Sequence, residues 1–354
     1  MRHIDLGTVT PHRSMAVFHA IANAAGVDDE ITLVTVRPDK AFVSVGYHQL
    51  ASREVRVNYC RELGIPISRR MTGGGTVLLD SDQIFWHLIL PGAHVAIRDL
   101  YQALMPAPVN TYRKMGIEAE MRPLNDIVAR AKKIGGTGAA TIGSSLVFVG
   151  SLMFDFDRSL MAQVLNVPSE KFRDKTIQSL KDYMTTIKDE LGDRSPSKEV
   201  AVSMLAEEFA ELLGSSVHPG CMTEAEESEC ARYESFLFEP SFVFQHEGWF
   251  EPRLTIHYGV YLYEGLHKTP DGLVRVIWLE KDHRFERVWL GGDFTVDPPD
   301  TLRILENRLQ GKPTHPDSLS TVCETIFAGI AVSGLGPRDL AQALARPERL
   351  SQSP

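Results

Sequence analysis

The run RRMTGGGTVLLD, Arg69 to Asp80, constrains this chain more than any other stretch of it. Glycine loses more backbone entropy on ordering than any other residue. Three in succession are therefore unfavourable unless the backbone needs positive φ or must approach something closely. The two arginines ahead of them indicate what is approached. A guanidinium is permanently charged and presents paired donors that match a carboxylate or phosphate, so this segment suits an anionic ligand lying along exposed backbone N–H groups.

A second segment of the same character is NDIVARAKKIGGTG, Asn125 to Gly138. Here Lys132 and Lys133 lead into another glycine-rich turn and deliver a compact positive charge where backbone can press against a ligand. Two such segments imply one anion held from both sides. Neither is a Walker loop, because the terminal Gly-Lys-Ser/Thr is missing, and neither has the GxGxxG spacing of a dinucleotide fold. Taken singly, RRMTGGG also fits a surface turn with solvated arginines, and AKKIGG fits a basic helix end.

At 354 residues, 43% hydrophobic and 23% charged, the chain is long enough for about two globular domains. No apolar run approaches bilayer length, and MRHIDLGTVTPHRS lacks the apolar core of a signal peptide, so no membrane partner is expected. Cys60, Cys221, Cys230 and Cys323 match neither a zinc site nor a CxxC pair, which fits a reducing cytoplasm and buried thiols. A net charge of −9 argues against a general nucleic-acid binder.

Periodicity predicts a large α/β part followed by a smaller α+β part. Met15, Phe18 and Ala22 predict a helix from Ser14 to Ala25. Strands are expected over Ile31–Val36 and Ala41–Val45, and the apolar run Ile84–Leu90 reads as a buried strand, so the triple-glycine loop is expected on a sheet. Ser195-Pro196 offers an N-cap to a helix whose apolar face is Leu205, Phe209, Leu212 and Leu213. The acidic segment Val217–Tyr233 reads as a connection between domains. Beyond it, strands are expected at Leu254–Tyr263, Leu273–Leu279 and Phe285–Leu290, then helices capped by Asp300 and Asp317.

The two glycine motifs, in this order and with strands around them, resemble those of lipoate–protein ligases of the biotin/lipoate attachment superfamily, which read RRx(S/T)GGGxVxHD and ND(L/I)…(K/R)KI(S/A)GSA. Val43–Gln49 is similar to the family's VxIGxxQ, and Val288–Phe294 to the IxGDF of its accessory domain. The resemblance implies an α+β fold: an α/β-type catalytic domain of mixed sheets and helices over residues 1–236, and a small α+β accessory domain over 247–354. It implies that the triple glycine folds over the acyl chain and phosphate, with Arg70, Thr72, Gly73, Gly74, Gly75, Thr76, Val77 and Leu78 lining the lipoate and nucleotide site. Lys133 would hold the lipoate carboxylate and the α-phosphate beside Gly136, with Asn125 and Asp126 arranging polar contacts and Asp126 placed for Mg²⁺. Attack of one anion on another is slowed by repulsion, and an ammonium at about 4 Å contributes on the order of 4 kcal/mol of Coulomb energy at an effective dielectric near 20. The implied reaction joins lipoate (or octanoate) and ATP into lipoyl-AMP and pyrophosphate, then acylates a lysine of an acceptor lipoyl-domain protein.

The chain departs from the pattern at three places. Leu79-Asp80 replaces His-Asp, Phe148-Val149-Gly150 replaces HHG, and Gly138 replaces alanine. These departures suggest a divergent branch, and they add a lipoate-binding protein of sulfur oxidation to dehydrogenase E2 and glycine-cleavage H proteins as candidate acceptors. His87, His246 and His257 lack a second ligand at metal spacing and are expected to be structural. A cysteine-dependent octanoyl- or lipoyl-transferase shares the fold and the lysine motif; it would need Cys60 or Cys221 as nucleophile.

Overall fold

The computed structural model describes residues 1–122, 125–166, 170–245, 247, 259–269, 272–294, 296, 300–330 and 334–350, the side chains of 170–175 and 177 set aside. The chain divides into two compact units. The first comprises Met1–Val45, Ala51–Thr72 and Thr76–Val243, and the second Gly46–Leu50, Gly73–Gly75 and Phe244–Pro354. Together they give the mixed α+β architecture expected of the resemblance, with a separate sheet in the C-terminal part.

In the first unit the strands are β1 (Arg2–Val9), β2 (Thr32–Pro38), β3 (Phe42–Val45), β4 (Ile67–Arg69), β5 (Val77–Leu79), β6 (Gln83–Pro91), β7 (Ala119–Arg122), β8 (Asp126–Ala129), β9 (Lys132–Ile142), β10 (Ser145–Met153) and β11 (His218–Pro219). The helices are α1 (Pro11–Ala24), α2 (Ala51–Glu54), α3 (Val57–Glu62), α4 (Ile97–Leu104), α5 (Pro106–Lys114), α6 (Arg158–Val164), α7 (Glu170–Tyr183), α8 (Ile187–Leu191), α9 (Lys198–Leu212), α10 (Glu224–Phe236) and α11 (Pro240–Val243).

The large sheet runs β11-β1-β2-β6-β10-β9-β8-β7, parallel where β1 meets β11 and β2 and antiparallel from β2 onward. The apolar run of β6 lies at its middle and is buried on both faces, as a strand covered by helices on both sides must be. Ile84, Trp86, Leu88 and Leu90 alternate into a core shared with Leu100, Tyr101, Leu104 and Phe209 from α4 and α9. On the opposite face His87 stacks on Phe18 of α1, with ring centroids 4.4 Å apart.

The triple-glycine loop is carried on a sheet, though not on the one containing β6. A small sheet of order β4-β3-β5 holds both its ends: β4 pairs parallel and β5 antiparallel with β3, so the connection must cross from one side of β3 to the other.

Several boundaries differ from the sequence reading. The helix expected from Ser14 starts at Pro11, because Thr10 caps it by accepting from the Arg13 N–H. Ser195-Pro196 is not the start of α9; Ser197 is the cap, accepting from the Val200 N–H. The glycines after Lys133 form no turn: the turn is Arg130-Ala131, both at positive φ (49° and 64°), and IGGTG lies within β9. The segment Val217–Tyr233 is not a connection between domains. Its first residues pair with β1, and Thr223 and Glu226 form a capping box that starts α10. The acidic residues that made it look like a linker are ion-pair partners: Glu226 for Arg2 (2.5 Å) and Glu227 for Arg13 (2.7 Å).

The second unit contains β12 (Val260–Thr269), β13 (Gly272–Lys281), β14 (Arg284–Gly292) and β15 (Glu348–Arg349), in the antiparallel order β14-β13-β12-β15. It also contains α12 (Thr301–Leu309), α13 (Leu319–Ile326) and α14 (Pro337–Ala345). Val276, Trp278, Phe285 and Leu290 on one face of the sheet pack with Leu305, Leu309, Cys323, Ile326 and Leu340 of the helices. Part of the strand expected at Leu254–Tyr263 lies outside the described residues, as do His246, His257, Pro270 and Asp271; the described strand runs on to Thr269. Asp300 precedes α12 but makes no side-chain cap bond, and the residue before α13 is Ser318 rather than Asp317.

Because the capping box satisfies two otherwise orphan donors, Thr223→Ala should destabilise the protein by about 1 kcal/mol without altering its far-UV spectrum. Urea unfolding of the two proteins measures it.

Candidate active site

The second motif builds the centre of the site. Arg122 on β7, Asp126 on β8 and Gly136 on β9 stand in one row across the antiparallel ladders. Lys133 precedes that row on β9, and its Nζ lies 2.7 Å from Asp126 Oδ1. The Nζ hovers over Gly136, where a Cβ would meet it at 2.9 Å. Gly136 and Gly138 alternate with Thr137, whose Oγ1 reaches Met105 Sδ (3.5 Å) on the other side. The two glycines therefore leave a strip of bare backbone on one face. Thr72 of the first motif borders that strip: a Cβ on Gly138 would lie 3.8 Å from its Oγ1. The structure thus brings Lys133, Asp126, Gly136 and Thr72 to one stretch of β9. The Thr72 hydroxyl is buried and has no hydrogen-bond partner among the described residues.

Asp126 is held ionised. Burial opposes its charge, but the Lys133 ammonium and the Arg122 guanidinium outweigh burial and keep the carboxyl below the usual carboxylate range. Asn125 is tied to β9: its Nδ2 donates to Thr137 O (3.0 Å), and its carbonyl accepts from the Thr137 N–H (2.9 Å).

Arg70 donates from its backbone to Val45 O (3.1 Å) and from Nη1 to Ser44 O (3.0 Å). Burial, helped by the neighbouring Arg69, pushes its guanidinium down to about 10, a cation whose lost hydration an anion would replace. Arg69 is structural. It is fully buried and its Nε donates to Phe242 O (3.0 Å). Val77 and Leu78 pair with Ser44 and Val43, and the Leu78 side chain is buried, so that residue offers backbone only. Thr76 lies in the same unit just before β5.

Gly73, Gly74 and Gly75 belong to the second unit. Of the three only Gly74 takes a positive φ (89°), and its carbonyl oxygen fills the space a Cβ on Gly46 would need. The close approach expected of the motif is here glycine against glycine. In the same unit the Gly292 N–H donates to His48 O (2.9 Å), and a Cβ on Gly75 would lie 3.7 Å from Asp293 Cβ.

Sequence reasoning missed His19. Its Nδ1 donates to Met15 O (2.8 Å), which leaves Nε2 to accept from the Met71 N–H (3.1 Å) and anchors the first motif to α1. No signal marks it in sequence, since a histidine on an apolar helix face has no visible partner. His87 stands opposite Val149 and, like His19, is fully buried and neutral; desolvation lowers both to about 3. His87 is structural, as expected.

Two predictions follow from this geometry. In the unfolded chain both histidines protonate near 6.5, whereas in the folded protein they stay neutral to about 3. The unfolded state thus binds more protons over that window, and stability is lost as pH falls through it. The unfolding free energy from urea titrations should be level above about pH 7 and fall below it, by about 1.4 kcal/mol per pH unit per histidine, with a shallower decline in His87→Gln. Gly136→Ala should cost little stability, because a lysine terminus can move, yet displace the ammonium and weaken binding of the lipoate expected there by roughly tenfold. Calorimetry with lipoate checks it.

Comparison with known proteins bears on the family and the fold. The lipoyl protein ligase A/B catalytic domain family matches residues 10–210. Lipoate-protein ligase A subunit 1 of Thermoplasma acidophilum is 29% identical over 225 residues, covering 61% of this chain and 84% of that protein. The octanoyltransferase LipM of Kyrpidia tusciae is 28% identical over 218 residues, covering 54% of this chain and 79% of that one. Among solved structures, a bi-partite lipoate protein ligase of T. acidophilum, studied with its E2 lipoyl domain, superimposes with a TM-score of 0.64 at 27% identity, over 69% of this chain and 95% of that chain. The match of the family model over more than half the chain places the protein in the lipoyl protein ligase A/B catalytic domain family, and the paired glycine motifs lie within the matched residues.

Proposed function

We propose that the protein is an ATP-dependent lipoate–protein ligase. The lipoate or octanoate carboxylate attacks the α-phosphorus of ATP. The bond from that phosphorus to the bridging oxygen breaks, and pyrophosphate leaves. The neutral ε-amine of an acceptor lysine then attacks the acyl carbon, AMP departs, and the amine proton passes to solvent. Lys133 and Arg70 supply positive charge toward the two anions that must meet, and the Gly136–Gly138 strip gives them room. The acceptor is a lipoyl-domain protein of the E2, H-like or sulfur-oxidation lipoate-binding kind.

The observation that favours ligase over transferase is the placement of the thiols. A transferase needs a thiolate beside the acyl group. Cys60 and Cys230 are buried, and burial pushes their thiols up to about 11 and about 12. Cys221 is exposed but follows β11, five strands from β9 in the sheet, a separation of about 24 Å at the usual strand spacing. Mg²⁺ fits only as an ion carried by the nucleotide. Among the described residues no group of three or more His, Cys, Asp or Glu side chains could hold a metal, and Asp126 is the carboxylate at Lys133. No helix among the described residues is long and apolar enough to cross a membrane, which accords with a cytoplasmic enzyme.

Purified protein with ATP, Mg²⁺ and lipoate should release pyrophosphate before any acceptor is added, undiminished when Cys60 and Cys221 are both serine. Lys133→Ala should lower the rate by about 10²-fold, and Lys132→Ala far less, since Lys132 Nζ is engaged with Lys181 O (2.9 Å). Activity that needs a cysteine and octanoyl-carrier protein but no ATP would replace this reading with that of the octanoyltransferase relatives.

A further inference from the structure

Two residues outside both glycine motifs close a network on the carboxylate that faces Lys133. Arg122 Nη2 donates to Asp126 Oδ2 (2.8 Å) and to the hydroxyl of Tyr183 (2.7 Å). That hydroxyl, with one proton to give, lies 3.3 Å from the same Oδ2. The Arg122 guanidinium also stands over the Tyr183 ring, 5.1 Å from its centroid. Asp126 Oδ2 is therefore taken by Arg122 and Tyr183, and Oδ1 by Lys133.

The charge count gives this arrangement a consequence. One carboxylate between two cations leaves the cluster with a net positive charge. An ammonium has three donors, and with Oδ2 occupied Lys133 spends one on Asp126 and keeps two for an incoming anion. Without Arg122 both oxygens would turn to Lys133, and a neutral ion pair would face the substrate. The segment carrying Tyr183 also fixes the Lys133 backbone. Met184 bridges to Lys133, and the Thr185 N–H donates to Lys133 O (2.9 Å). The end of α7 thus locates the lysine main chain and the aspartate side chain together.

We propose that Arg122 and Tyr183 are positioning residues that hold Asp126 by Oδ2 and so leave the Lys133 ammonium available to the carboxylate of lipoate. The inference rests on the assignment of Lys133 to that carboxylate but not on the use of ATP.

The test is lipoate affinity by calorimetry, with kcat and KM for pyrophosphate release measured beside it. Arg122→Ala should weaken lipoate binding by roughly tenfold, the scale of one charge-assisted hydrogen bond, and Arg122→Lys should recover part of the loss. Tyr183→Phe removes one hydroxyl from a half-exposed ring and should weaken binding by about threefold with unchanged melting temperature. In an Asp126→Asn background neither substitution should have a further effect, because both act through that carboxylate. Equal losses in the two backgrounds, or no loss in the first, would overturn the proposal. A protein that binds lipoate but releases no pyrophosphate would overturn the ligase assignment alone, and one that binds no lipoate would overturn both.

Discussion

The bare backbone at Gly136 and Gly138 is the constraint on which the site depends. A Cβ at the first would meet the Lys133 ammonium and at the second would rest against Val149 Cγ2 at 3.4 Å, so a side chain at either position covers the exposed backbone of the strip. Placing such a strip inside a strand rather than a loop has a physical advantage. The β8 and β10 ladders on either side hold the backbone rigid while the strip stays open. Glycine weakens a strand interior, and here flanking hydrogen bonds offset that cost: Asn125 to Thr137 on one side and Thr185 to Lys133 on the other.

Around the strip, buried polar groups are kept either neutral or paired. His19 on α1 and His87 on β6 beneath it are neutral rings, the former locking the Met71 N–H and the latter stacked on Phe18. Asp126 stays charged only because two cations share it. A half-buried carboxylate with partners on each oxygen is fixed in direction, which keeps the Lys133 ammonium on one oxygen only. The replacement of the family's motif histidines by Leu79 and Val149 fits this pattern. Leu79 is buried, and Val149 lies between Gly138 and His87 in the sheet, so apolar packing occupies those positions.

Misreadings at the sequence level have a common origin. The acidic run around Glu224–Glu234 looks like a solvated linker because its partners, Arg2 and Arg13, are more than two hundred residues away. Ser195-Pro196 carries a helix-start signature, yet Ser197 satisfies the orphan N–H group in its place, a choice local propensity does not distinguish. The glycines after Lys133 read as a turn because glycine is common in turns, whereas the turn falls at Arg130-Ala131, residues with no turn signature.

By itself the sequence determined what local chemistry can encode. The continuous apolar run became the central strand, the change of period separated a strand-rich C-terminal part, and two cationic glycine motifs marked the family and Lys133. Only the tertiary structure decided which groups meet. That Arg122, Asp126 and Gly136 form one row is set by ladder register, and that Tyr183 reaches the row is set by where α7 ends beside β9. Register and helix docking come from packing summed over many residues, so no short stretch of sequence carries them.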